Sequence, residues 1–429
     1  DELPDALCIV NPSQPGCEFP SKNLSGAGVM FYVLLALRAE LRTRGFFSST
    51  STHPSPPLPG REPSETPPLK RGGREGLPEP NLGNLLDLVA LGTVADVVRL
   101  DQNNRILVQQ GLQRIRAGRA CAGINALLQV AKKSPAQATT YELGFVAGPR
   151  LNAAGRLEDM GLGIRCLLTD DPGEAAELAA QLDALNRERR DIEAGMQETA
   201  LAALENVNPA DGYSLAMFDA DWHQGVIGIL ASRLKDRFHR PVIAFARSQN
   251  EGELKGSGRS IAGLHLRDAL DLVAKRHPHL LQKFGGHAMA TGLTLHERHF
   301  DEFRKAFEAI AQELLSPADL TQIIETDGAL AAHEFSLDIA RALEQQVWGQ
   351  GFPAPLFEGE FEVRNQRVVG EKHLKLALQP ASGKSTLDAM HFFHAEPLPP
   401  RIHAVYSLGI NEYNGNVSLQ LIVRHWKES

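Results

Sequence analysis

The run Leu85-Leu-Asp-Leu-Val-Ala-Leu-Gly-Thr-Val-Ala-Asp-Val-Val98 constrains the fold more than any other stretch of this chain. It is apolar along most of its length and has to be buried. It carries an acid, Asp96, between Ala95 and Val97, just after the Gly92-Thr93 break. A carboxylate in apolar surroundings needs a partner, and a metal ion is one. The plainer alternative is capping, either with Thr93-x-x-Asp96 as a capping box or with Asp96 as the cap of the next helix. The stretch alone leaves both open.

Composition narrows the class. At 429 residues, two or three domains are expected, and 43% hydrophobic content supports packed cores. The net charge of −8 excludes a generally basic nucleic-acid binder, so any such site is a local patch. Cys8, Cys17, Cys121 and Cys166 form no Cys-x-x-Cys pair, so neither zinc ligation nor a disulfide framework is indicated, and a reducing cytoplasm fits. No apolar run is long enough for a membrane span, and no signal peptide is visible.

In chain order, residues 7–20 read as a short buried strand running into a Pro/Gly loop. Gly26 and Gly28 precede a buried helix over Val29–Arg38, which they allow to pack closely. Residues 48–80 turn to Pro, Ser, Gly and charge, the composition of a disordered insertion. Helices follow over 81–91, 103–116 and 123–132. A long helix runs from Gly173 to about Asn206, with Leu178, Leu182, Leu185, Ile192 and Met196 inside and Arg187 to Asp191 on a solvated face. Strand Ser214–Asp219, helix Val226–Leu234 and strand Pro241–Ala246 form a parallel βαβ unit. Short strands beyond residue 320 suggest an OB-like barrel, where Lys372, His373 and Lys375 beside Tyr406 and Tyr413 would suit single-stranded nucleic acid or, equally, pack on their own chain.

Three segments carry anion-binding chemistry. Arg150, Asn152 and Arg156 stand among small residues, where guanidinium forks suit phosphate, although a pair of surface arginines on a helix is the default. Lys255-Gly-Ser257-Gly-Arg259-Ser260 offers hydroxyls, flexible backbone and cations, or a Gly-rich strand end. Gly285-Gly286-His287 suggests a ligand-facing histidine at a helix start, or a capping one.

Taken together, Val10-Asn-Pro-Ser-Gln-Pro-Gly-Cys17, Ala90-Leu-Gly-Thr-Val-Ala-Asp96-Val-Val, Gly148-Pro-Arg-Leu-Asn-Ala-Ala-Gly-Arg156, Trp222-His-Gln-Gly-Val-Ile-Gly228, Gly256-Ser-Gly-Arg-Ser260 and Phe284-Gly-Gly-His287 resemble the bacterial RecJ family of single-stranded-DNA exonucleases, in the Asp-His-His phosphoesterase superfamily. The resemblance implies an α/β chain. Its parts would be a partial Asp-His-His-type catalytic domain over 1–170, a long connecting helix over 171–208, a smaller DHHA1-like α/β domain over 209–318 and a C-terminal OB-like barrel over 319–429. It further implies 5′→3′ degradation of single-stranded DNA by a two-metal centre holding Mn2+ or Mg2+. Asp96 then matches a metal ligand and catalytic residue. Arg150, Asn152 and Arg156 match a phosphate-contacting motif, and Ser257, Arg259 and Ser260 the motif for the terminal 5′ phosphate. Gly285, Gly286 and His287 match a substrate-binding motif. Implied partners are single-stranded DNA and repair proteins such as single-strand-binding protein or a helicase.

Two departures stand out: the 48–80 insertion, and the absence of the family's upstream aspartate motifs and Asp-His-His triplet, which would directly precede Asp1-Glu-Leu-Pro4. The expectation is an N-terminally truncated chain, inactive alone. A non-catalytic DNA-binding or scaffold protein is the alternative. A phosphoesterase of very short RNAs or cyclic dinucleotides is disfavoured by the C-terminal barrel, which such small substrates do not need.

Overall fold

The structure, a computed structural model, describes residues 5–47, 77–157, 159–203, 212–381, 383, 385–413 and 415–429. The expected disordered insertion lies, over 48–76, outside the described residues. Two compact units emerge: one joins residues up to Gly148 with Ala329–Ser429, and the other spans Pro149–Gly328.

The first unit begins with an irregular segment. Residues 7–20 form no strand, and Leu7 and Val10 are exposed. A short apolar run becomes a strand only where a neighbour completes its ladder, and among the described residues none does. Helix α1 (Gly26–Thr43) starts at Ser25, whose Oγ accepts from the Gly28 amide at 3.2 Å. The organising stretch becomes a short 3-10 turn and then α2 (Leu86–Ala95), followed by α3 (Gln102–Arg116) and α4 (Ala122–Val130). Helices α2 and α3 approach so closely that a Cβ on Gly111 would lie 2.3 Å from the Leu86 carbonyl oxygen, so only glycine fits. Asp87, fully buried in α2, accepts from the Cys121 amide at 2.7 Å and lies 3.7 Å from the Arg114 guanidinium. It is the acid of the organising stretch that satisfies the buried-carboxylate argument.

The second unit contains α5 (Gly148–Leu157), α6 (Gly161–Leu168) and the long α7 (Pro172–Ala203), then strand β1 (Leu215–Phe218), α8 (Ile227–Phe238) and β2 (Val242–Arg247). β1 and β2 pair in parallel, as a βαβ unit requires. Strand β3 (Glu253–Arg259), helix α9 (Leu266–Arg276), strands β4 (Lys283–Gly286) and β5 (Ala290–His296), and helix α10 (Phe300–Leu314) complete it. The sheet order is β1-β2-β3-β5-β4, antiparallel from β2 onward. One face, with Ile243, Phe245, Leu254, Leu293 and Leu295, packs on α9 and α10. On the other, Val242, Ala244 and Ala246 of β2 pack under α8. That second face continues across β3 as Lys255, Ser257 and Arg259, where the apolar cover ends.

The rest of the first unit is helix α11 (Leu337–Glu344) and a closed barrel, β10-β8-β7-β6-β9, built from β6 (Phe357–Val369), β7 (His373–Pro380), β8 (Leu387–His391), β9 (Arg401–Tyr413) and β10 (Asn416–Glu428). Strict alternation in β7, with Leu374, Leu376 and Leu378 inward, fills the barrel. Tyr406 does not face a ligand. It is 1% exposed, its ring 5.4 Å from Phe361, and burial pushes its hydroxyl up to about 12. A large ring at an inward register position fills a small barrel, whatever its polar tip suggests. The side chain of Tyr413 lies outside the described residues.

The barrel contains a titratable weak point. His391 stacks on His394 with centroids 4.5 Å apart, and burial, then the charges of His394 and His425, push it down to about 4, against a smaller raising contribution from the Val423 backbone. An unfolded histidine titrates near 6.5. Between about pH 6.5 and 4 the unfolded chain therefore binds a proton that the folded chain does not, and stability falls as pH falls, by up to ~2 kcal/mol for a half-buried group. His403, held up by Glu360 and Glu358, works in the opposite sense and above that window. Urea midpoints at pH 5 and pH 7 should differ for the wild type and converge for His391→Leu. Parallel pH dependence in both proteins would refute the assignment.

Candidate nucleic-acid interface

Asp96 sits at the C-terminal end of α2, exposed, and the next residue, Val97, has φ +56°. Neither capping alternative holds. Thr93 is buried within α2 with its hydroxyl 3.3 Å from that of Ser25, and α3 is capped by Asp101, whose Oδ1 accepts from the Asn104 amide at 3.0 Å. Nor is Asp96 the buried carboxylate expected. Among the described residues it belongs to no group of three metal-ligating side chains. The described residues therefore do not fit a two-metal centre. A cleft of about 910 Å³ in the first unit takes in Val94, Val97, Phe145 and Trp348, but Glu142, Glu344 and Glu412 line it too. Burial, then the charges of Glu142 and Glu412, push Glu344 up against a smaller lowering by Arg116, and the cation lining the cleft, Lys133, lies 3.8 Å from Glu142.

The second unit presents the opposite charge. Arg259 projects from the end of β3 with Nη1 donating to Ser257 Oγ at 3.1 Å and to the Gly258 carbonyl at 2.7 Å. Arg156, at the end of α5, donates to the Gly225 carbonyl at 3.0 Å. Among the described residues neither forms an ion pair. Desolvation, then the charge of Arg156, holds Arg259 below the usual arginine range. Arg156 is exposed as a whole, yet partial desolvation of its guanidinium, then the charge of Arg189, lowers it likewise against a smaller raising by Glu193. The first turn of α8 closes the cradle. A Cβ on Gly228 would lie 2.9 Å from Arg259 Nη2 and 3.0 Å from Ser257 Oγ, so glycine lets the helix start approach both groups. The positive end of the helix dipole points there, although the Ile227 and Ile229 amides already donate to the His223 and Val226 carbonyls.

Register extends this patch across the sheet. Ser257 is opposite Gly292, which is opposite Gly285, and a Cβ on either glycine would meet nothing within 4 Å. The next row is Lys255, Thr294 and Lys283. The result is a glycine floor with lysines along one side and Arg259 at the other, a surface on which a phosphodiester backbone can lie close. His287 does not start a helix. It is exposed in the β4–β5 turn, its amide donating to the Ala290 carbonyl at 2.8 Å. Gly286 sets that turn with φ +136°, where a Cβ would lie 2.4 Å from the Ala290 oxygen.

Other candidate residues have structural duties. Arg150 is buried and its guanidinium bonds Asp183 of α7, Nε at 2.9 Å and Nη2 at 2.7 Å. Asn152 is exposed on α5. Ser260 is buried, its hydroxyl donating to the Leu264 carbonyl at 2.8 Å and its amide to that of Met289 at 3.0 Å. Arg189, expected on a solvated face, is buried: it bonds Glu193 at 2.9 Å and Asn186 at 3.1 Å, and Glu193 also accepts from Arg233 at 3.0 Å. Periodicity misplaced it because spacing does not show that its head is paired inside the fold. On the barrel, Phe392 and Phe393 (84% exposed) flank His373 with ring centroids 5.2 and 5.1 Å away. Two consecutive exposed phenylalanines were the sequence signal for this platform.

Residues 211–313 match the DHHA1 domain and residues 326–425 the RecJ OB domain. The single-stranded-DNA-specific exonuclease RecJ of Salmonella typhimurium is 49% identical over 99% of this chain and 70% of its own length, and that of Escherichia coli is 48% identical with the same coverage. The crystal structure of RecJ from Thermus thermophilus in complex with Mg2+ superposes with a TM-score of 0.76 at 28% identity, covering 98% of this chain and 58% of that one. The same protein has been solved with Mn2+, at a TM-score of 0.75. Among the described residues no helix is long and apolar enough to cross a membrane. The chain belongs to the RecJ family of single-stranded-DNA-specific exonucleases.

Proposed function

We propose that this chain is the strand-holding part of a 5′→3′ single-stranded-DNA exonuclease, and that Arg156, Ser257 and Arg259 receive the terminal 5′ phosphate. The carrying observation is the meeting of Arg259, donating to Ser257 Oγ, and Arg156, donating to the Gly225 carbonyl, beside the start of α8, with neither guanidinium in an ion pair among the described residues, although the Glu193 charge also acts on Arg156. A dianionic phosphate can pair with both guanidiniums at once, and a 5′ hydroxyl cannot. In this reading Gly285, Gly286 and Gly292 let the following backbone lie on the sheet, and His287 borders it. Arg150 and Ser260 hold α5 and the β3–α9 loop in place, and the His373 platform stacks bases. Hydrolysis would need divalent ions, Mg2+ or Mn2+ as in the solved relatives. Asp96 would be one of their ligands, joined by groups that the described residues do not supply.

The test compares 5′-phosphorylated and 5′-hydroxyl oligodeoxynucleotides of one sequence, by fluorescence anisotropy with chelator and nuclease activity with Mn2+ or Mg2+. Expected are a tenfold or greater preference for the phosphorylated end, on the order of one charge-assisted contact, and no cleavage by this chain. Equal affinity for both ends would sink the 5′-phosphate assignment. Metal-dependent degradation by the chain alone would show that it holds a full ligand set. The isolated, exposed Asp96 equally fits a binding protein without catalysis, and an Asp96→Ala change that leaves a longer, cutting form fully active would favour that reading.

A further inference from the structure

We propose that His279, His299 and Glu302 bind one divalent transition-metal ion, Zn2+ by donor preference, at the end of the second unit's sheet remote from the glycine hairpin. His277 and His279 lie in the loop between α9 and β4. His296 ends β5, His299 precedes α10, and Glu302 is in its first turn. The seven residues of β5 separate this cluster from the β4–β5 turn by roughly 20 Å, so it is not part of the phosphate cradle.

The donor geometry is that of a metal site. His279, His299 and Glu302 each offer one ligand atom, all within 4.8 Å of one another. His279 Nε2 is 3.0 Å from Glu302 Oε1 and His299 Nδ1 is 3.9 Å from Oε2. Tetrahedral zinc with bonds of about 2.0–2.1 Å spaces its ligand atoms roughly 3.3 Å apart, so small side-chain rotations would seat an ion. His277 Nδ1, 4.0 Å from Glu302 Oε1, stands by as a fourth donor, or water fills that position. The rings meet edge-on, His279 against His299 at 5.4 Å and against His277 at 6.4 Å. One carboxylate here faces three imidazoles. A cation that takes several imidazole lone pairs uses them all. Two or three nitrogens with one carboxylate select zinc-like ions over Mg2+ or Mn2+, which prefer oxygen. The sequence gives no hint of this, since the ligands lie in two separated loops and involve no cysteine.

One local contact opposes the ion and sharpens the test. Arg298 Nε donates to His299 Nε2 at 3.1 Å, which leaves the proton on Nδ1, the atom facing Glu302. Binding through Nδ1 requires that proton to move to Nε2 and Arg298 to swing away. The chain, prepared without a polyhistidine tag and stripped with chelator, is titrated with Zn2+ against a chromophoric chelator. The expectation is one ion per chain at submicromolar Kd, weakened at least about tenfold by His279→Ala or His299→Ala, tightened by Arg298→Ala and unchanged by Asp96→Ala. Bound Co2+ should show the intense visible bands of a tetrahedral site. All these side chains are exposed or half-buried, and equal melting temperatures in chelator would confirm that the variants fold. No saturable binding, or wild-type affinity in a His279→Ala/Glu302→Gln double variant, would overturn the proposal.

Discussion

Replacing Arg259 with alanine is expected to weaken binding of 5′-phosphorylated single-stranded DNA by roughly 10- to 100-fold, the equivalent of about 1.5–3 kcal/mol for charge-assisted bonds, while leaving a 5′-hydroxyl strand nearly unaffected. Among the described residues the side chain donates to Ser257 and to the Gly258 carbonyl and forms no ion pair, so its loss leaves no buried charge without a partner. Arg259→Lys should recover part of the loss, because a lysine supplies the charge without the two-pronged fork. The salt dependence of binding should also flatten by about 0.7 in log–log slope, the share of one phosphate contact on a single strand. Anisotropy titrations at several salt concentrations measure all three. An equal loss for both oligonucleotides would mean that Arg259 contacts the backbone generally and does not read the end.

Glu193→Ala is expected to be the most destabilising single change near the cradle, at about 3–5 kcal/mol, the usual cost of leaving a buried charge without its partner. Glu193 is buried and neutralises Arg189, also buried, while its other oxygen accepts from Arg233. Without it, Arg189 has only Asn186, and its charge adds to that of Arg156. For a unit of this size the melting temperature should fall by roughly 6–15 °C. Added inorganic phosphate should restore more stability to the variant than to the wild type, since the cradle is then more positive. A double change, Arg189→Leu with Glu193→Leu, should lose less than Glu193→Ala alone. If the melting temperature moves by less than about 2 °C, the pair does not bear the weight assigned to it here.

Local pattern was enough for several elements. The periodicity of Leu178, Leu182 and Met196 marked α7, and Ser214 to Ala246 spelled out a parallel βαβ unit that β1, α8 and β2 form. These succeed because helix and strand periods are properties of neighbouring residues. Alternation also pointed to the barrel, but understated β6, β9 and β10, whose outward faces are polar and whose length is set by partners across the barrel. The strand expected at residues 7–20 failed for the complementary reason, since apolar content without a neighbouring ladder does not make a strand.

Site chemistry divides in the same way. The sequence by itself determined the family, through glycines and arginines in fixed order, and it offered Arg150, Asn152, Arg156, Ser257, Arg259 and Ser260 together as phosphate-seeking residues. It did not decide which cations are free. Arg150 and Arg156 stand six positions apart on one helix, yet one is committed to Asp183 while the other, among the described residues, pairs with no carboxylate. The buried acid of the organising stretch is Asp87, not Asp96, because Cys121 and Arg114 arrive from later turns of chain. Only tertiary structure decided these points, and it alone gathered His279, His299 and Glu302. Whether a charge is paired, desolvated or open depends on what the fold brings within about 4 Å of it, and that distance has no counterpart in sequence separation.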